Sequence, residues 1–207
     1  MDRRRLAAAQ KKAKRERARV MFVDESGLLM APLVRRTWAL RGHRPILRQR
    51  GRHREKVSVT GAFWWAPHGS RQRASLGFYF ETLPDAYYNS ERTAAFLGRL
   101  MREIPDRIIV VWDGGNMHKG DPIREAVERF KPRLHLEKLP PYAPKINPVE
   151  QVWSWLKYGR LCNSAPRDAA ELNRAIRREL SGIVNDQGFL LNLWHRSDLP
   201  VPRTLLM

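Results

Sequence analysis

Hydrophobic residues recur along the chain with two different periods, and the two periods predict different elements. Alternate positions are apolar at 56–65 and at 74–81, with a polar turn between them, which predicts an antiparallel pair of strands. The run RIIVVW at 107–112 is apolar without alternation, as expected of a parallel strand that is covered on both faces. Short apolar runs at 20–25, before a turn signal, and at 134–139 complete five predicted strands.

Helical spacing of apolar residues separates or follows these strands. It predicts a helix over 89–104, and a second helix that Asp121-Pro122 caps. Asp168 and Glu171 form a capping-box pattern before a third, and a short helix is predicted around 189–194. Together with the helix described next, this order predicts an α/β fold with a mixed five-stranded sheet flanked by helices.

The stretch from Leu139 to Lys157, LPPYAPKINPVEQVWSWLK, joins a proline-bearing loop to the start of a helix. Asn147 suits the N-cap, Pro148 suits the first helical position, and Glu150 falls three residues past the cap. The core stripe of this helix consists of Val149, Val152, Trp153 and Leu156, and the polar stripe of Glu150, Ser154 and Lys157. Because Asn-x-x-Glu resembles a capping box, Glu150 has a purely structural interpretation beside a functional one.

Two aspartates stand at the ends of predicted strands. Asp24 closes the strand at 20–25, and Asp113 follows the buried strand directly, before two glycines that permit a sharp turn. If the two strands are central neighbours, their carboxyl ends meet at one edge of the sheet. The helix that begins at Pro148 then brings Glu150 over this edge. The alternative is that Asp24 simply faces solvent at a strand end.

Three carboxylates so close together would repel one another and raise one another's pKa, and a divalent metal removes that cost. Oxygen ligands of this kind suit Mg²⁺, which is commonly held by a few carboxylates together with substrate phosphate. Two ions about 3.5 to 4 Å apart would activate a water or a 3′-hydroxyl and stabilise the leaving oxygen. The pattern therefore predicts phosphodiester chemistry.

The net charge of +18 is concentrated in two segments. Residues 1–19 contain nine Lys or Arg and two acids, and residues 35–56 contain nine and one, whereas the other 166 residues carry only +3. Such concentration favours a polyanionic partner held at particular places, most commonly nucleic acid. A solvated charge run is the alternative, mainly for the first segment. In the second segment Trp38 stands among the charges and is a candidate for stacking on a base.

Length and composition limit the remaining possibilities. A chain of 207 residues that is 43% hydrophobic predicts one domain with appendages. The single cysteine, Cys162, excludes an intrachain disulfide framework and a CxxC zinc site. No apolar run is long enough to span a bilayer, and the basic start lacks the apolar segment of a signal peptide. These features predict a soluble, intracellular protein.

Four segments, VMFVDESG, RTWALRGHRP, VVWDGGNMHKG and LPPYAPKINPVEQVWSWLK, together resemble the DDE transposases of the mariner superfamily, specifically the bacterial insertion-sequence branch called the insertion sequence six-thirty family. The resemblance covers roughly residues 20–160. It implies an RNase H-like catalytic domain, Mg²⁺ or Mn²⁺ dependence with two ions, and the catalytic, metal-binding triad Asp24, Asp113 and Glu150. Asp24 would bridge both ions, and the other two carboxylates would each bind one. Many members have asparagine directly after the second aspartate, whereas here Gly114-Gly115 intervene.

The resemblance also implies partners: DNA at transposon ends and targets, a second copy in a synaptic dimer, and no membrane. The side chains predicted to contact DNA are Arg35, Arg36, Trp38, Arg41, Arg44, Arg48, His118, Lys119 and Lys157. For His118 a surface or packing role is the alternative, and Glu25 is expected to point away from Asp24 because adjacent strand residues face opposite sides. A bacterial cytoplasmic, nucleoid-associated location would follow.

The predicted division is a basic arm or linker at 1–19, an RNase H-like catalytic domain at 20–162 with a basic insertion at 28–55, and a C-terminal helical extension at 163–207. No segment matches the helix-turn-helix region that family members carry before the catalytic domain. A catalytic half is therefore expected, as a separate frame, a truncated copy or an expressed fragment, with the helix-turn-helix subunit encoded elsewhere. Two alternatives remain: an RNase H-like nuclease without strand joining, and an inactive DNA-binding transposon remnant.

Overall fold

Five strands form one mixed sheet in the order β3-β2-β1-β4-β5. The first three strands pair antiparallel, and β1, β4 and β5 pair parallel. Their bounds are β1 Arg19–Leu29, β2 Lys56–Ala66, β3 Ser75–Pro84, β4 Ile108–Trp112 and β5 Leu134–Lys138. The predicted mixed five-stranded sheet is confirmed, including β1 as the direct neighbour of the buried strand β4.

The computed structural model describes residues 11–31, 33–48, 55–66, 75–139 and 144–202. Several predictions fall partly outside these residues. They concern the first half of the basic arm, parts of the basic insertion, the turn between β2 and β3, the middle of the proline-bearing loop and the last five residues.

In the described ranges, five helices of eight or more residues cover the two faces of the sheet. They are α1 Ser90–Glu103, α2 Asp121–Arg129, α3 Pro148–Trp155, α4 Ala169–Ser181 and α5 Gln187–His195. Short 3₁₀ turns lie at Asn116–His118 and Pro144–Ile146, and a π-helical turn, Leu156–Arg160, continues α3. Residues 11–16 are helical. Of the helices in the described ranges, none has both the length and the apolar character needed to cross a bilayer.

The predicted caps of two helices are confirmed, and a third is wrong. Asn147 accepts a hydrogen bond from the Val149 N–H at 3.2 Å, and Asp168 accepts one from the Glu171 N–H at 2.7 Å. At α2, however, the N-cap is Gly120 rather than Asp121. Gly120 has φ = 97°, a conformation that favours glycine, so the chain enters the helix one residue early.

β1 also departs from its predicted length. The sequence Ser26-Gly27 predicted a turn after Glu25, but the strand continues to Leu29. Its second half pairs with β2, in a register that sets Leu28 opposite Val57. The antiparallel partner therefore keeps this segment extended where the local signal favoured a turn.

The sheet separates two hydrophobic cores. We call the side covered by α3, α4 and α5 the α3 face, and the side covered by α1 and α2 the α1 face. Along β1, Phe22 belongs to the first core, and Met21 and Val23 belong to the second. This alternation places Asp24 on the α3 face and Glu25 on the α1 face. The prediction that Glu25 points away from Asp24 is confirmed.

The described part of the basic arm packs on the domain. Ala13 and Ala18 are fully buried in the core of the α3 face, and Arg19 Nε lies 2.6 Å from Asp106 Oδ2. The expectation that residues 1–19 lie outside the core is therefore wrong for 11–19. Small alanines among many charges give little hydrophobic signal in the sequence, although alanine is often fully buried.

The predicted C-terminal extension supplies part of the same core. α4 contributes Leu172, Ile176 and Leu180, and α5 contributes Leu193 and Trp194. The Trp194 ring meets both Phe22 and Phe63 edge-on at 5.8 Å. These helices therefore stabilise the sheet on the side where α3 lies.

Candidate active site

Asp24 and Asp113 lie at the same edge of the sheet, on adjacent strands. β1 and β4 are parallel, and their last register pair joins Phe22 to Val111. Each aspartate stands two residues beyond this pair, Asp24 within β1 and Asp113 directly after β4. The structure thus brings the two together as the strand pattern predicted.

Asp24 is held from the α3 face. The indole Nε1 of Trp153 donates a hydrogen bond to Asp24 Oδ2 at 3.0 Å. Trp153 can lie here because the residue paired with Asp24 on β2 is Gly61. A Cβ at Gly61 would stand 2.9 Å from Trp153 Cη2 and 2.8 Å from Phe78 Cζ. Trp153, which its spacing assigned to packing, therefore also makes a polar contact with the site.

The negative charges of three other carboxylates act on the pKa of Asp24. Burial raises the pKa of Asp24 to about 8, assisted by the negative charges of Glu150, Glu25 and Asp113, and opposed by the hydrogen bond from Trp153. The charged form of Asp24 is therefore costly in the protein without a cation.

Glu150 stands at the third position of α3, as predicted from the Asn147-Pro148 start. Its carboxylate does not complete a capping box. Among the described residues no hydrogen bond joins it to the Asn147 N–H, and the Asn147 side chain accepts from Val149 instead. The structural interpretation of Glu150 therefore lacks the hydrogen bond that defines a capping box. The negative charge of its carboxylate instead helps to raise the pKa of Asp24.

The donor set fits a divalent cation that prefers oxygen. Within the described ranges, neither Asp24 nor Glu150 forms an ion pair with Lys, Arg or His. The same part of the chain contains no group of three His, Cys, Asp or Glu side chains placed to hold a metal. Mg²⁺ does not require such a cage, because one or two carboxylates with waters and substrate phosphate commonly bind it.

Asp113 has one restrained oxygen and a largely exposed side chain. Its Oδ1 accepts a hydrogen bond from the Gly115 N–H at 2.8 Å and lies 2.8 Å from His118 Nδ1. The side chain is nevertheless 58% exposed. The Gly115 N–H therefore holds one carboxylate oxygen of Asp113.

His118 is not placed to contact DNA, contrary to prediction. Its side chain is only 2% exposed, and its ring stacks on Trp112 at 4.3 Å. Both ring nitrogens face carboxylates, Asp113 on one side and Glu25 on the other. Burial lowers the pKa of His118, but the hydrogen bond to Glu25 and the charges of Glu25 and Asp113 outweigh burial and raise it. No pattern in the sequence indicated that Glu25 and His118, which are 93 residues apart, would be in contact.

The described part of the basic insertion is an exposed segment without regular structure. We call residues 33–48 the basic segment; every one of them is exposed. Trp38 is 100% exposed. The predicted DNA-contacting arginines that are exposed here are Arg35, Arg36, Arg41, Arg44 and Arg48.

Arg35 anchors this segment to the domain. Its guanidinium lies over the Tyr158 ring at 5.1 Å, and its Nη1 donates to the Tyr158 carbonyl at 3.2 Å. The Asn163 side chain accepts from the Arg35 N–H at 2.8 Å. Arg35 is therefore engaged by the protein. Of the two lysines predicted to contact DNA, Lys119 is exposed and Lys157 is half-buried.

Comparison with known families places this geometry in context. A family model described as DDE superfamily endonuclease matches residues 19–173. The chain belongs to the DDE superfamily of endonucleases. The matched range contains Asp24, Asp113 and Glu150.

Solved structures show the fold of this DDE endonuclease domain. The catalytic domain of Mos1 mariner transposase is 14% identical, with a TM-score of 0.57, and the match covers 97% of this chain and 86% of that one. The Mos1 transposase paired-end complex with left transposon end is 16% identical (TM-score 0.61; 92% and 56% covered). The Mos1 mariner paired end complex with Mn is also 16% identical (TM-score 0.62; 92% and 55% covered).

These likenesses establish the fold as RNase H-like, as predicted. The chain spans a little over half the length of the Mos1 chains in the two paired-end complexes, 56% and 55%. Among curated proteins, none matches the sequence.

Proposed function

We propose that this DDE endonuclease domain is the catalytic part of a transposase of the bacterial insertion sequence six-thirty family. It would cleave DNA at insertion-sequence ends and join the freed 3′-hydroxyl to target DNA. The observation that carries the proposal is Asp24, a half-buried carboxylate without a cationic partner in the described ranges, whose pKa is raised by burial and by the charges of Glu150 and Asp113. A site that collects negative charge in this way favours divalent cations and phosphate chemistry.

Asp24, Asp113 and Glu150 would hold Mg²⁺ or Mn²⁺. When bound, two such ions activate a water or 3′-hydroxyl and stabilise the leaving oxygen of a phosphodiester. Asp24 is suited to a shared position because it lies between the other two elements, on β1 beneath α3. Trp153 orients its carboxylate, and Asp113 presents its carboxylate largely to solvent, where substrate would lie. The Mos1 paired-end complexes solved with Mn and with Mg support this choice of ions.

The basic segment and Lys119 would bind the DNA backbone. Exposed arginines outside any regular element can follow phosphates, and the fully exposed Trp38 can stack on a base. The Mos1 neighbours include complexes with transposon ends, which supports DNA of this kind as substrate.

We further propose that the chain works in a synaptic dimer, together with a helix-turn-helix DNA-recognition part. The chain spans only about half of the Mos1 chains in their paired-end complexes, which supports a further part. The proposed division keeps a catalytic unit at 20–162 between the basic arm and the C-terminal helices, and a nucleoid location would follow from DNA binding.

Cleavage and joining of a labelled duplex test the proposal. The duplex is taken from the DNA that flanks the coding sequence, and the reaction contains Mn²⁺ and a target plasmid. We expect end cleavage and joined products, each lost at least 100-fold in Asp24→Asn, Asp113→Asn and Glu150→Gln. Glu128→Gln removes an exposed carboxylate on α2 and should leave both activities intact. Undiminished cleavage by the three variants would overturn the assignment of the carboxylates. Cleavage without joining by the wild-type chain would indicate a nuclease. DNA binding without cleavage would indicate an inactive remnant.

A further inference from the structure

Three side chains, Glu25, His118 and Asp113, form a continuous line across the edge of the sheet. His118 Nε2 lies 3.2 Å from Glu25 Oε2, and His118 Nδ1 lies 2.8 Å from Asp113 Oδ1. Glu25 projects from β1 to the α1 face, whereas Asp24 projects from the same strand to the α3 face. The line therefore reaches Asp113 from the side of the sheet opposite to Asp24.

The imidazole in the middle is fixed by packing. Its ring is parallel to the Trp112 indole within 7°, with centroids 4.3 Å apart, and only 2% of the side chain is exposed. His118 Nδ1 also lies 3.2 Å from the Asp113 carbonyl oxygen. A ring held by stacking and by contacts at both nitrogens cannot turn without breaking several of them.

The fixed imidazole restrains one carboxylate oxygen of Asp113. Oδ1 accepts a hydrogen bond from the Gly115 N–H and lies 2.8 Å from His118 Nδ1, whose own hydrogen bond goes to the Asp113 carbonyl oxygen, whereas no hydrogen bond from a described residue reaches Oδ2. One oxygen is thus held while the other is free in a side chain that is 58% exposed. A carboxylate held in this way is oriented before a ligand arrives.

Gly115 makes the approach of these groups possible. A Cβ at this position would stand 3.0 Å from Asp113 Oδ1 and 3.6 Å from His118 Nδ1. The distance to Asp113 Oδ1 is tighter than ordinary contact, so the carboxylate would have to shift, whereas the distance to His118 Nδ1 is ordinary van der Waals contact. The glycine therefore fits an Asp113 that folds back onto the histidine.

We propose that Glu25 and His118 are positioning residues that orient Asp113 for a divalent cation. This inference rests on the proposed function, since it takes Asp113 as a metal ligand. Glu25 orients the imidazole so that Nδ1 donates to the Asp113 carbonyl and lies against Oδ1, and the free oxygen of Asp113 then faces the ligand. Hydrogen-bonding partners of metal ligands commonly change metal affinity by 10- to 100-fold.

Two amide replacements of His118 separate orientation from packing. Asn can place an amide N–H near the position of Nδ1, so His118→Asn keeps a donor to Asp113. Gln can place one near Nε2, so His118→Gln keeps the contact with Glu25 and removes the one with Asp113. Both variants remove the stacking on Trp112, so a role in packing alone would affect them equally.

The measurement is Mn²⁺ affinity of the full chain without DNA, from the electron paramagnetic resonance signal of free Mn²⁺. We expect a dissociation constant about 10-fold or more above wild type for His118→Gln, and within about threefold for His118→Asn. Thermal unfolding of both variants shows that each is folded.

Glu25→Ala gives a second and independent test. It should weaken Mn²⁺ binding severalfold in the wild-type chain and have no further effect in an Asp113→Ala background, because it acts through Asp113. Glu128→Ala serves as the control for removal of a carboxylate on α2.

The outcomes separate this inference from the proposed function. Equal Mn²⁺ affinity of the two His118 variants, or an effect of Glu25→Ala that persists without Asp113, would overturn the positioning role while the metal site stands. A wild-type chain that binds no Mn²⁺, or that loses none of its affinity in Asp113→Ala, would overturn the metal site and the positioning role together.

Discussion

The indole Nε1 of Trp153 donates a hydrogen bond to Asp24 Oδ2 at 3.0 Å. This contact connects the core of the α3 face with the sheet edge where the carboxylates lie. Among the described residues it is the one hydrogen bond that the Asp24 side chain accepts. Because Asp24 is half-buried, this contact helps to fix the direction of the carboxylate and favours its charged form. A residue in the hydrophobic stripe of α3 thereby influences the proposed chemistry.

Replacement of Trp153 by Phe should weaken metal binding more than it weakens the fold. The hydrogen bond lowers the pKa of Asp24, so its removal raises that pKa further and reduces the charged fraction near pH 7. We expect cleavage and Mn²⁺ affinity to fall about 10-fold, consistent with loss of a hydrogen bond to a charged group. Trp65→Phe is the matched control, because Trp65 Nε1 is buried without a hydrogen-bond partner in the described structure. Similar losses in both variants would contradict a specific role of the Trp153 N–H.

A methyl group at Gly61 should disturb the same contact from β2. In Gly61→Ala the new Cβ would approach Trp153 and Phe78 to less than 3.0 Å, so these rings must shift. We expect a loss of about 1–3 kcal/mol in the free energy of unfolding, together with weaker Mn²⁺ binding. Chemical denaturation and Mn²⁺ titration measure the two effects.

Gly27→Ala provides the comparison for that experiment. Gly27 is also a strand residue, on β1 opposite Ser58 of β2, and a Cβ there would meet no atom within 4 Å. Its stability and Mn²⁺ affinity should stay close to those of wild type. If Gly61→Ala behaves in the same way as Gly27→Ala, the close approach of Trp153 to the strand does not matter for the site.

Stability without metal should fall as the pH rises, because of Asp24. The pKa of Asp24 is raised from 3.8 to about 8, chiefly by burial, so between these values the folded protein binds more protons than the unfolded chain. The contribution of protonated Asp24 is complete below about pH 4 and is lost by about pH 8.

Asp24→Asn, which cannot ionise, should remove this dependence. In the absence of metal we expect the variant to exceed wild type in unfolding free energy at pH 8 by on the order of 1–4 kcal/mol, and the two to agree near pH 4. Saturating Mg²⁺ should raise the unfolding temperature of wild type and not that of the variant. A constant difference across this pH range would show that Asp24 does not titrate as its surroundings predict.

The periodic signals were sufficient for the sheet and for the aspartates. The run at 107–112 is apolar on both faces of β4, and the polar side chain after it is therefore exposed at the carboxyl end of a central strand. Asn147-Pro148 likewise defined the start of α3 and the position of Glu150. Each of these features depends on neighbours along the chain, which a sequence displays directly.

The contacts that orient the carboxylates depend on residues far apart in the chain. Trp153 reaches Asp24 because Gly61, the residue opposite Asp24 on β2, leaves room for the indole. No local sequence pattern connects these three positions. Strand alternation correctly directed Glu25 away from Asp24, but it did not show that His118 would lie beneath that side of the sheet. Such contacts follow from register and packing, which appear only once the sheet is assembled.

The exposed arginines of the basic segment should determine how strongly DNA affinity depends on salt concentration. If Arg36, Arg41 and Arg44 neutralise phosphates, their joint replacement by Gln should lower the slope of log affinity against log salt by about 0.9 for each phosphate that is no longer neutralised. Arg35 is left unchanged because it anchors the segment to Tyr158. Fluorescence anisotropy of a labelled duplex, from about 50 to 200 mM salt, measures the slope.

Arg102 and Arg129 supply the control for this charge removal. Both are exposed in the groove between α1 and α2, on the opposite face of the sheet from α3. Because the proposed DNA path does not include that groove, the double Gln variant should lower the net charge and leave the salt slope near that of wild type. Equal changes in slope per arginine removed would indicate that the overall charge of the domain attracts DNA, and that the basic segment forms no particular contacts with phosphates.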